Sequence, residues 1–461
     1  MRSLFRKKSI SQLLQQSRQQ TLERTLSAFD LTLLGIGAVI GTGIFVLTGV
    51  VAAESAGPAL IISFILSGIA CALSALCYAE FASTVPISGS VYTYTYATLG
   101  EFFAFLIGWD LMLEYIIAIA AVSTGWSGYF QTLLEGFGIH LPTILASAPG
   151  SGEGGLVNLP AMIIILIITA LLSKGMKESK QVNNIMVVIK LAIIILFIVT
   201  GVFYVKPDNW TPFAPFGFEG IITGAATVFF AYIGFDAVAT ASEEVKRPQR
   251  DLPIGIISSL AICTLLYIAV SLILTGMVPY SQLNVADPVT FALQFVGQSS
   301  LAGIISVGAI TGITTVLLVM MYAQVRVSFA MSRDGLLPKK LSSVHPRLKT
   351  PFANTWLTGV IAAIIAGFID LTTLAHLVNI GTLAAFMLVS IAVIVLRHTH
   401  PSLKRAFKVP FVPLLPAISA ALCLYLMTSL PAVTWKAFSI WIGIGIIIYF
   451  TYSRKHSHLN K

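Results

Sequence analysis

The chain consists largely of long apolar runs, and this pattern limits its fold more than any other feature. Of its 461 residues, 56% are hydrophobic and only 10% are charged, whereas a soluble protein carries roughly 25% charged residues. Runs of about 20 apolar residues are long enough to cross a bilayer as helices. We therefore predict an all-α polytopic membrane protein with twelve transmembrane helices. The predicted spans are 30–53, 58–82, 102–134, 160–174, 183–205, 221–242, 253–276, 302–331, 354–369, 374–396, 411–430 and 435–452.

The positions of Lys and Arg predict the orientation in the membrane. The 28 basic residues fall almost entirely in the N-terminal segment and in loops on the same side as that segment, whereas the opposite side has only Lys206 and Lys436. Basic residues favour the cytosolic face, so we expect both termini to lie in the cytosol. We expect the chain itself to lie in the cytoplasmic membrane. The predicted domains are a cytosolic tail at 1–29, a transmembrane domain at 30–453 and a second cytosolic tail at 454–461.

Two of the predicted spans contain features that disfavour a continuous helix. Span 1 contains "GIGAVIGTGIF" near its middle, and span 6 contains "FFAYIGFDAVATASEEV". Unpaired backbone at membrane depth is tolerated only where it is buried in protein or lines a cavity. The two interruptions lie five spans apart, which predicts an inverted repeat of spans 1–5 and 6–10 followed by accessory spans 11 and 12. The alternative is that these glycines only allow close helix packing.

A pair of broken helices also predicts the kind of ligand. The N-terminal ends of half-helices present free N–H groups and suit a carboxylate, while unwound carbonyl groups suit an ammonium. A small molecule that carries both groups is an α-amino acid. We therefore expect an amino acid site in the middle of the membrane, in contact with both breaks.

Lys190 is an ionisable residue near the middle of span 5. Such residues are rare at membrane depth and usually functional, and a buried lysine that releases its proton is a candidate proton carrier. Snorkelling of its side chain to the cytosolic face is the alternative. Glu114 and Asp110, four residues apart in span 3, are secondary candidates for proton coupling, although a structural polar network explains them equally well.

Other classes of function find no support in the sequence. A nucleotide-binding loop of the form GxxxxGK[ST] is absent, and the seven histidines do not form a metal-site spacing such as HExxH. The four cysteines lie within apolar spans, where packing is their expected role. We predict no enzyme activity, no metal and no cofactor other than the proton as coupling ion. The net charge of +9 is explained by topology, so membrane lipid is an expected partner and nucleic acid is not.

Several segments together resemble one transporter family. They are "FDLTLLGIGAVIGTGIFVLTG", "GWDLMLEY", "FFAYIGFDAVATASEEVKRPQRDLPIGI" and "RDGLLP". The chain resembles the amino acid, polyamine and organocation (APC) superfamily, and in particular bacterial relatives of the cationic amino acid transporters. The resemblance implies the ten-helix inverted-repeat fold of the leucine-transporter type with two additional helices.

The resemblance also implies positions for the substrate. Backbone N–H groups of the span 1 break would hold the carboxylate, and carbonyl groups of the span 6 break would hold the amino group. Phe230 would also close the outer side of the site, and Lys190 occupies the position of the lysine found in proton-coupled relatives. The implied substrate-binding residues are Ile40, Gly41, Thr42 and Gly43 in span 1 and Phe230, Ala231 and Ile233 in span 6.

The side-chain preference depends on span 8. Met320, aligned with the pocket of these relatives, would form a bulky apolar wall that favours small or neutral L-amino acids such as alanine. The predicted function is proton-coupled amino acid uptake by alternating access, in which protonated Lys190 donates to span 1 carbonyls near Gly41 to Gly43. An amino acid exchanger or facilitator and a transporter-like nutrient receptor remain alternatives, and a small membrane accessory subunit remains open.

Overall fold

The computed structural model describes residues 6–7, 25–84, 90–151, 154–174, 180–348 and 350–460. Within these residues the regular structure is helical, apart from one isolated bridge between Leu26 and Val245. Residues 1–5 and 8–24 of the predicted N-terminal tail lie outside the described part of the chain, as does Lys461. The described chain therefore agrees with the predicted all-α class.

The helices follow the predicted apolar runs, and we number them in chain order. The first helix has two parts, α1a (Ala28–Val39) and α1b, which comprises Gly43–Leu47, Thr48–Val51 and Ala52–Ala56. The sixth also has two parts, α6a (Gly217–Val228) and α6b (Ala237–Thr240). The others that follow predicted spans are α2 (Leu60–Thr84), α3 (Glu101–Gly136), α4 (Leu159–Ser173), α5 (Lys180–Gly201), α7 (Pro248–Met277), α8 (Ser299–Arg333), α9 (Phe352–Phe368), α10 (Leu371–Thr399), α11 (Leu414–Thr428) and α12 (Ala432–Ile448). Shorter helices, among them Ser90–Thr98 and Pro288–Phe295, lie in the connections.

Length and hydropathy identify eight stretches of the described chain as candidate membrane spans. Four further apolar helices are shorter, namely α1a, α4, α9 and α11. Many side chains on the outside of the bundle are apolar and exposed, for example Val199 on α5 and Leu265 on α7. Exposed apolar surface of this extent requires an apolar surrounding medium. The count of twelve spans and the inverted repeat stay predictions.

The first helix breaks where its glycine-rich motif predicts. Helix α1a begins with a capping box, in which Ser27 and Asp30 each accept a hydrogen bond from the other's backbone N–H. It ends at Ile40, whose φ of −76° and ψ of 104° are extended, and the chain becomes helical again at Gly43. A side chain at Gly43 would collide with the backbone of Ala231. Glycine is therefore required there because helices 1 and 6 touch through their backbones.

The sixth helix breaks opposite the first. After α6a the chain continues as one 3₁₀ turn, Phe229–Tyr232, and then becomes extended at Ile233. Gly234 has a φ of +116°, a conformation that glycine adopts without strain. A Cβ atom at this position would lie 2.8 Å from the carbonyl oxygen of Ala38. The two breaks thus face each other across a backbone contact.

The remaining helices enclose this pair of breaks. Helix α7 packs against α2 and α1a, α3 packs along α8 and α10, and α5 packs against α1a and α8. Helix α12 lies at the edge and contacts α3 through a stacked pair, Trp109 and Trp441, whose ring centroids are 4.4 Å apart. Each indole N–H of this pair donates to the other residue's carbonyl, at 2.9 and 3.0 Å. The breaks therefore lie in the interior, where several helices can contribute side chains to one site.

Candidate functional site

A small cavity lies between the breaks of helices 1 and 6. Helices α3 and α8 complete its walls. The space open to the centre of a water-sized sphere is about 20 Å³, enough for one or two water molecules. The cavity is therefore narrow, and entry of a larger molecule requires the surrounding helices to separate. Its lining residues are Ala38, Val39, Gly41, Thr42, Gly43, Ala118, Val122, Phe230, Ile233, Val316 and Met320.

Three of the four residues predicted to hold a carboxylate line this cavity: Gly41, Thr42 and Gly43. They lead into α1b, where the first N–H groups have no carbonyl partner one turn earlier. Ile40 is not among the lining residues, and its N–H donates to the carbonyl oxygen of Ile36 at 2.9 Å. The backbone N–H groups beside the cavity are thus those of Gly41, Thr42 and Gly43, which follow the extended residue Ile40.

The predicted ammonium-binding residues divide in the same way. Phe230 and Ile233 line the cavity, whereas Ala231 does not. The carbonyl oxygen of Ala231 accepts a hydrogen bond from the Tyr267 hydroxyl at 2.6 Å, and the same hydroxyl lies 3.2 Å from the carbonyl oxygen of Val39. Tyr267 of α7 therefore ties the two breaks together. The carbonyl oxygen of Phe230 is likewise bonded, to the N–H of Ile233 at 3.2 Å, so what distinguishes Phe230 from Ala231 is that it lines the cavity.

Apolar side chains form the rest of the cavity wall. Ala118 and Val122 come from α3, and Val316 and Met320 come from α8. Met320 is buried, with 3% of its surface exposed. Met320 thus forms part of the apolar wall of the cavity, beside the breaks.

Lys190 contacts the break of helix 1 directly. Its side chain is fully buried, and its Nζ donates to the carbonyl oxygens of Gly37 at 3.0 Å and Ile40 at 2.7 Å. These carbonyls belong to the end of α1a, where the break removes their helical partners. The side chain therefore points to the break and does not snorkel to the surface. The shorter contact, to Ile40, directly precedes the predicted position near Gly41 to Gly43, and the contact to Gly37 lies about one turn before it.

Helix α3 holds the other side of the break. The Thr42 hydroxyl donates to the carbonyl oxygen of Val122 at 3.1 Å, and the Tyr129 hydroxyl donates to that of Phe45 at 2.7 Å. A Cβ atom on Gly125 would contact the Thr42 side chain. The start of α1b is thus fixed to α3, while the end of α1a is fixed to α5 through Lys190.

Comparison with known proteins identifies the family. The chain matches the family model described as "Amino acid permease" over residues 26–452. The chain belongs to the amino acid permease family. It is 68% identical over 461 residues to the methylthioribose transporter of Bacillus subtilis (strain 168), covering 100% of both chains. It is 58% identical to the branched-chain amino acid permease of the same organism, covering 100% of this chain and 99% of the relative.

More distant relatives agree with the predicted family resemblance, which is confirmed. The vacuolar cationic amino acid transporter 4 of Arabidopsis thaliana is 42% identical over 409 residues, which cover 87% of this chain and 68% of the relative. These relatives are all named as transporters or permeases. The permease is therefore a membrane-spanning transport protein and not an enzyme.

The two acidic residues of α3 lie outside the cavity lining of the permease. Asp110 and Glu114 are each 2% exposed. Within the described chain, Asp110 Oδ1 and Glu114 Oε2 have no hydrogen-bond partner. Close by in the fold, the Tyr115 hydroxyl lies 3.3 Å from Asp236 Oδ2, at the start of α6b. The described residues include no group of three or more His, Cys, Asp or Glu side chains arranged to hold a metal ion.

Tyr267 is the main contact that sequence reasoning missed. It is one of several aromatic residues in the apolar sequence, and nothing in the spacing of α7 distinguishes it. Its role follows from the fold, which brings its hydroxyl between two stretches of chain that are far apart in sequence.

Proposed function

We propose that the permease takes up small, neutral L-amino acids, with alanine favoured, by proton-coupled alternating access. The observation that supports this most is the cavity between the two breaks. It combines first-turn amides of α1b with carbonyl groups of α6 and apolar walls from α3 and α8. A zwitterion with a small apolar side chain has the complementary arrangement of groups.

The proposed orientation follows from these surroundings. The carboxylate accepts from the N–H groups of Gly41 to Gly43, and the ammonium donates to the carbonyl groups of Phe230 and Ile233. The side chain then faces Val316 and Met320. The narrow space favours alanine, and the name of the branched-chain relative supports an apolar side chain of limited size.

Lys190 is the proposed coupling residue. When protonated, it donates to two carbonyls at the end of α1a and so holds that half-helix against α5. Hydrogen bonds that involve a charged donor are about twice as strong as neutral ones. Loss of the proton towards the cytosol weakens the link and allows α1a to move. In this scheme helices 1, 2, 6 and 7 rock against the others, and both termini face the cytosol.

The test is uptake of radiolabelled alanine into liposomes that contain the purified permease, with and without an inward proton gradient. Accumulation driven by the gradient supports proton-coupled uptake. Uptake only into liposomes preloaded with amino acid indicates an exchanger, and downhill uptake that ignores the gradient indicates a facilitator. Binding without flux indicates a receptor. Each of these three results would overturn the proposed coupling.

Methylthioribose is the second candidate substrate, because the 68% identical relative is named as its transporter. This sugar has neither a carboxylate nor an ammonium, so it leaves the polar groups of both breaks without charged partners. Its methylthio group would fit against Met320. The two candidates are separated by competition against labelled alanine and by direct uptake of labelled methylthioribose. Uptake of methylthioribose alone, with no uptake of alanine or valine, would refute the amino acid proposal.

A further inference from the structure

Helix α10 contacts the end of α6a through two polar side chains. Asn379 is fully buried, and its Nδ2 donates to the carbonyl oxygens of Ala226 at 2.7 Å and Thr227 at 3.0 Å. One turn earlier, His376 Nε2 lies 3.1 Å from the Thr227 hydroxyl. That hydroxyl donates to the carbonyl oxygen of Thr223 at 3.0 Å. It therefore accepts from His376, and both α10 residues act as donors to the same turn.

These carbonyl groups lie where α6a stops being an α-helix. The helix ends at Val228 and continues as a 3₁₀ turn. At such a change the carbonyls of the last α-helical turn lose their regular partners and need others. Asn379 thus acts as a cap that is supplied by a different helix.

The capped turn leads directly into the proposed substrate site. Phe230 follows the two capped residues closely in sequence and lines the cavity. The direction in which α6a ends therefore sets the position of the Phe230 ring and carbonyl. We propose that Asn379, supported by His376, is a positioning residue that fixes the end of α6a and thereby presents Phe230 to the substrate. This inference rests on the proposed transport function.

The contacts from α2 to α6a provide a comparison. Ser63 donates to the carbonyl oxygen of Ile221 at 2.8 Å, and Ser67 donates to that of Ala225 at 2.7 Å. The N–H of Phe229 is shared between the carbonyl oxygens of Ala225 and Thr227, so each keeps a backbone partner when its side-chain donor is removed. The difference between the two sites therefore rests on the Ala226 carbonyl, to which Asn379 also donates. In the proposed mechanism α2 moves together with helix 6, whereas α10 does not. The Asn379 contact is thus a link between the moving group and the rest of the bundle.

The first experiment is hydrogen exchange of peptides covering 226–234 in the purified permease, which requires no substrate. Asn379→Leu removes both donors, and Asn379→Asp keeps the shape but loses the amide donors. Ser67→Ala is the matched control, since it removes a bond of equal length to the same turn. We expect both Asn379 variants to exchange about tenfold faster in these peptides, and Ser67→Ala to stay within about twofold of the wild type.

The second experiment measures alanine uptake by the same proteins, after gel filtration has shown that each variant is folded. We expect the KM to rise about tenfold in both Asn379 variants, with a smaller change in maximal rate per folded protein. If Asn379→Leu does not fold, Asn379→Asp carries the test. Wild-type exchange and KM in Asn379→Asp would refute the inference, and so would an effect of Ser67→Ala as large as that of Asn379→Leu. If the wild type transports no amino acid, the proposed function fails, while hydrogen exchange still tests the positioning of α6a.

Discussion

Replacing Lys190 with alanine should separate substrate binding from proton-driven accumulation. In the structure the ammonium is linked to two carbonyls of α1a, at Gly37 and Ile40. The variant removes this link and leaves both carbonyls without the donor. Substrate groups do not depend on the lysine directly, because it is not among the residues that line the cavity.

The size of the effect follows from the two hydrogen bonds. Hydrogen bonds to charged groups contribute roughly 1.5–3 kcal/mol each, so the linked position of α1a loses about 3–6 kcal/mol. Since 1.4 kcal/mol corresponds to a factor of ten, the equilibrium between the linked and unlinked positions shifts by a factor of roughly 10² to 10⁴. We therefore expect gradient-driven accumulation to disappear.

The assay compares the wild type with Lys190→Ala and Lys190→Met. Methionine retains much of the volume of the side chain, which is needed because Lys190 packs against Gly312 of α8. Alanine binding and counterflow at equal pH on both sides should survive in at least the methionine variant. Accumulation that is unchanged in both variants would remove Lys190 from the mechanism and direct attention to Asp110 and Glu114.

Three further predictions concern side-chain selection, close packing and pH. Met320→Ala should widen the range of accepted side chains, measured as competition of labelled alanine uptake by larger amino acids; an unchanged range would exclude Met320 from selection. Gly43→Ala should lower stability by about 1–3 kcal/mol and abolish uptake, because its Cβ meets the α6 backbone. Gly303→Ala, in helix α8 with open space around it, should leave uptake unchanged and should not lower the Tm. Burial raises the pKa of Asp287, in the α7–α8 connection, to about 7. Protonation of Asp287 therefore stabilises the folded position of the α7–α8 connection. This stability should fall as the pH rises from about 4 to about 7. Thermal unfolding at several pH values measures this trend, and the Tm of Asp287→Asn should depend less on pH. An equal dependence of the Tm on pH in the wild type and the variant would contradict the role of Asp287.

Much of the site could be predicted from local sequence. The glycines around Gly41 and Gly43 favour a break in the helix and are small enough to allow backbone contact. The position of the first break was therefore predictable without the fold. Gly234 in span 6 gives the same information for the second break. Lys190 was predictable as a residue with polar partners in the interior, because a lone cation in an apolar span needs them. Its partners were predicted only in part, since Ile40 directly precedes the expected carbonyls whereas Gly37 lies one turn earlier.

Other parts of the site depend on contacts between distant segments. The resemblance implies that Ile40 and Ala231 bind the substrate just as their neighbours do. In the structure, however, the N–H of Ile40 donates to Ile36 within α1a, and the carbonyl of Ala231 accepts from the Tyr267 hydroxyl. Asn379 likewise has no distinguishing spacing in α10. Hydrogen-bond partners of this kind depend on which helices pack together and on the position along each helix at which they contact. Local patterns in a single sequence do not give that information.

The sequence by itself determined that this protein lies in a membrane, and it predicted that the first and sixth helices are interrupted and that one lysine lies within an apolar span. These properties follow from apolar length, glycine content and charge, which act locally along the chain. Only the tertiary structure decided which backbone groups at the breaks remain available and which are already bonded to Tyr267, Lys190 or Asn379. Those side chains lie far away in sequence, and only the packing of the helices brings their polar atoms to the broken backbone.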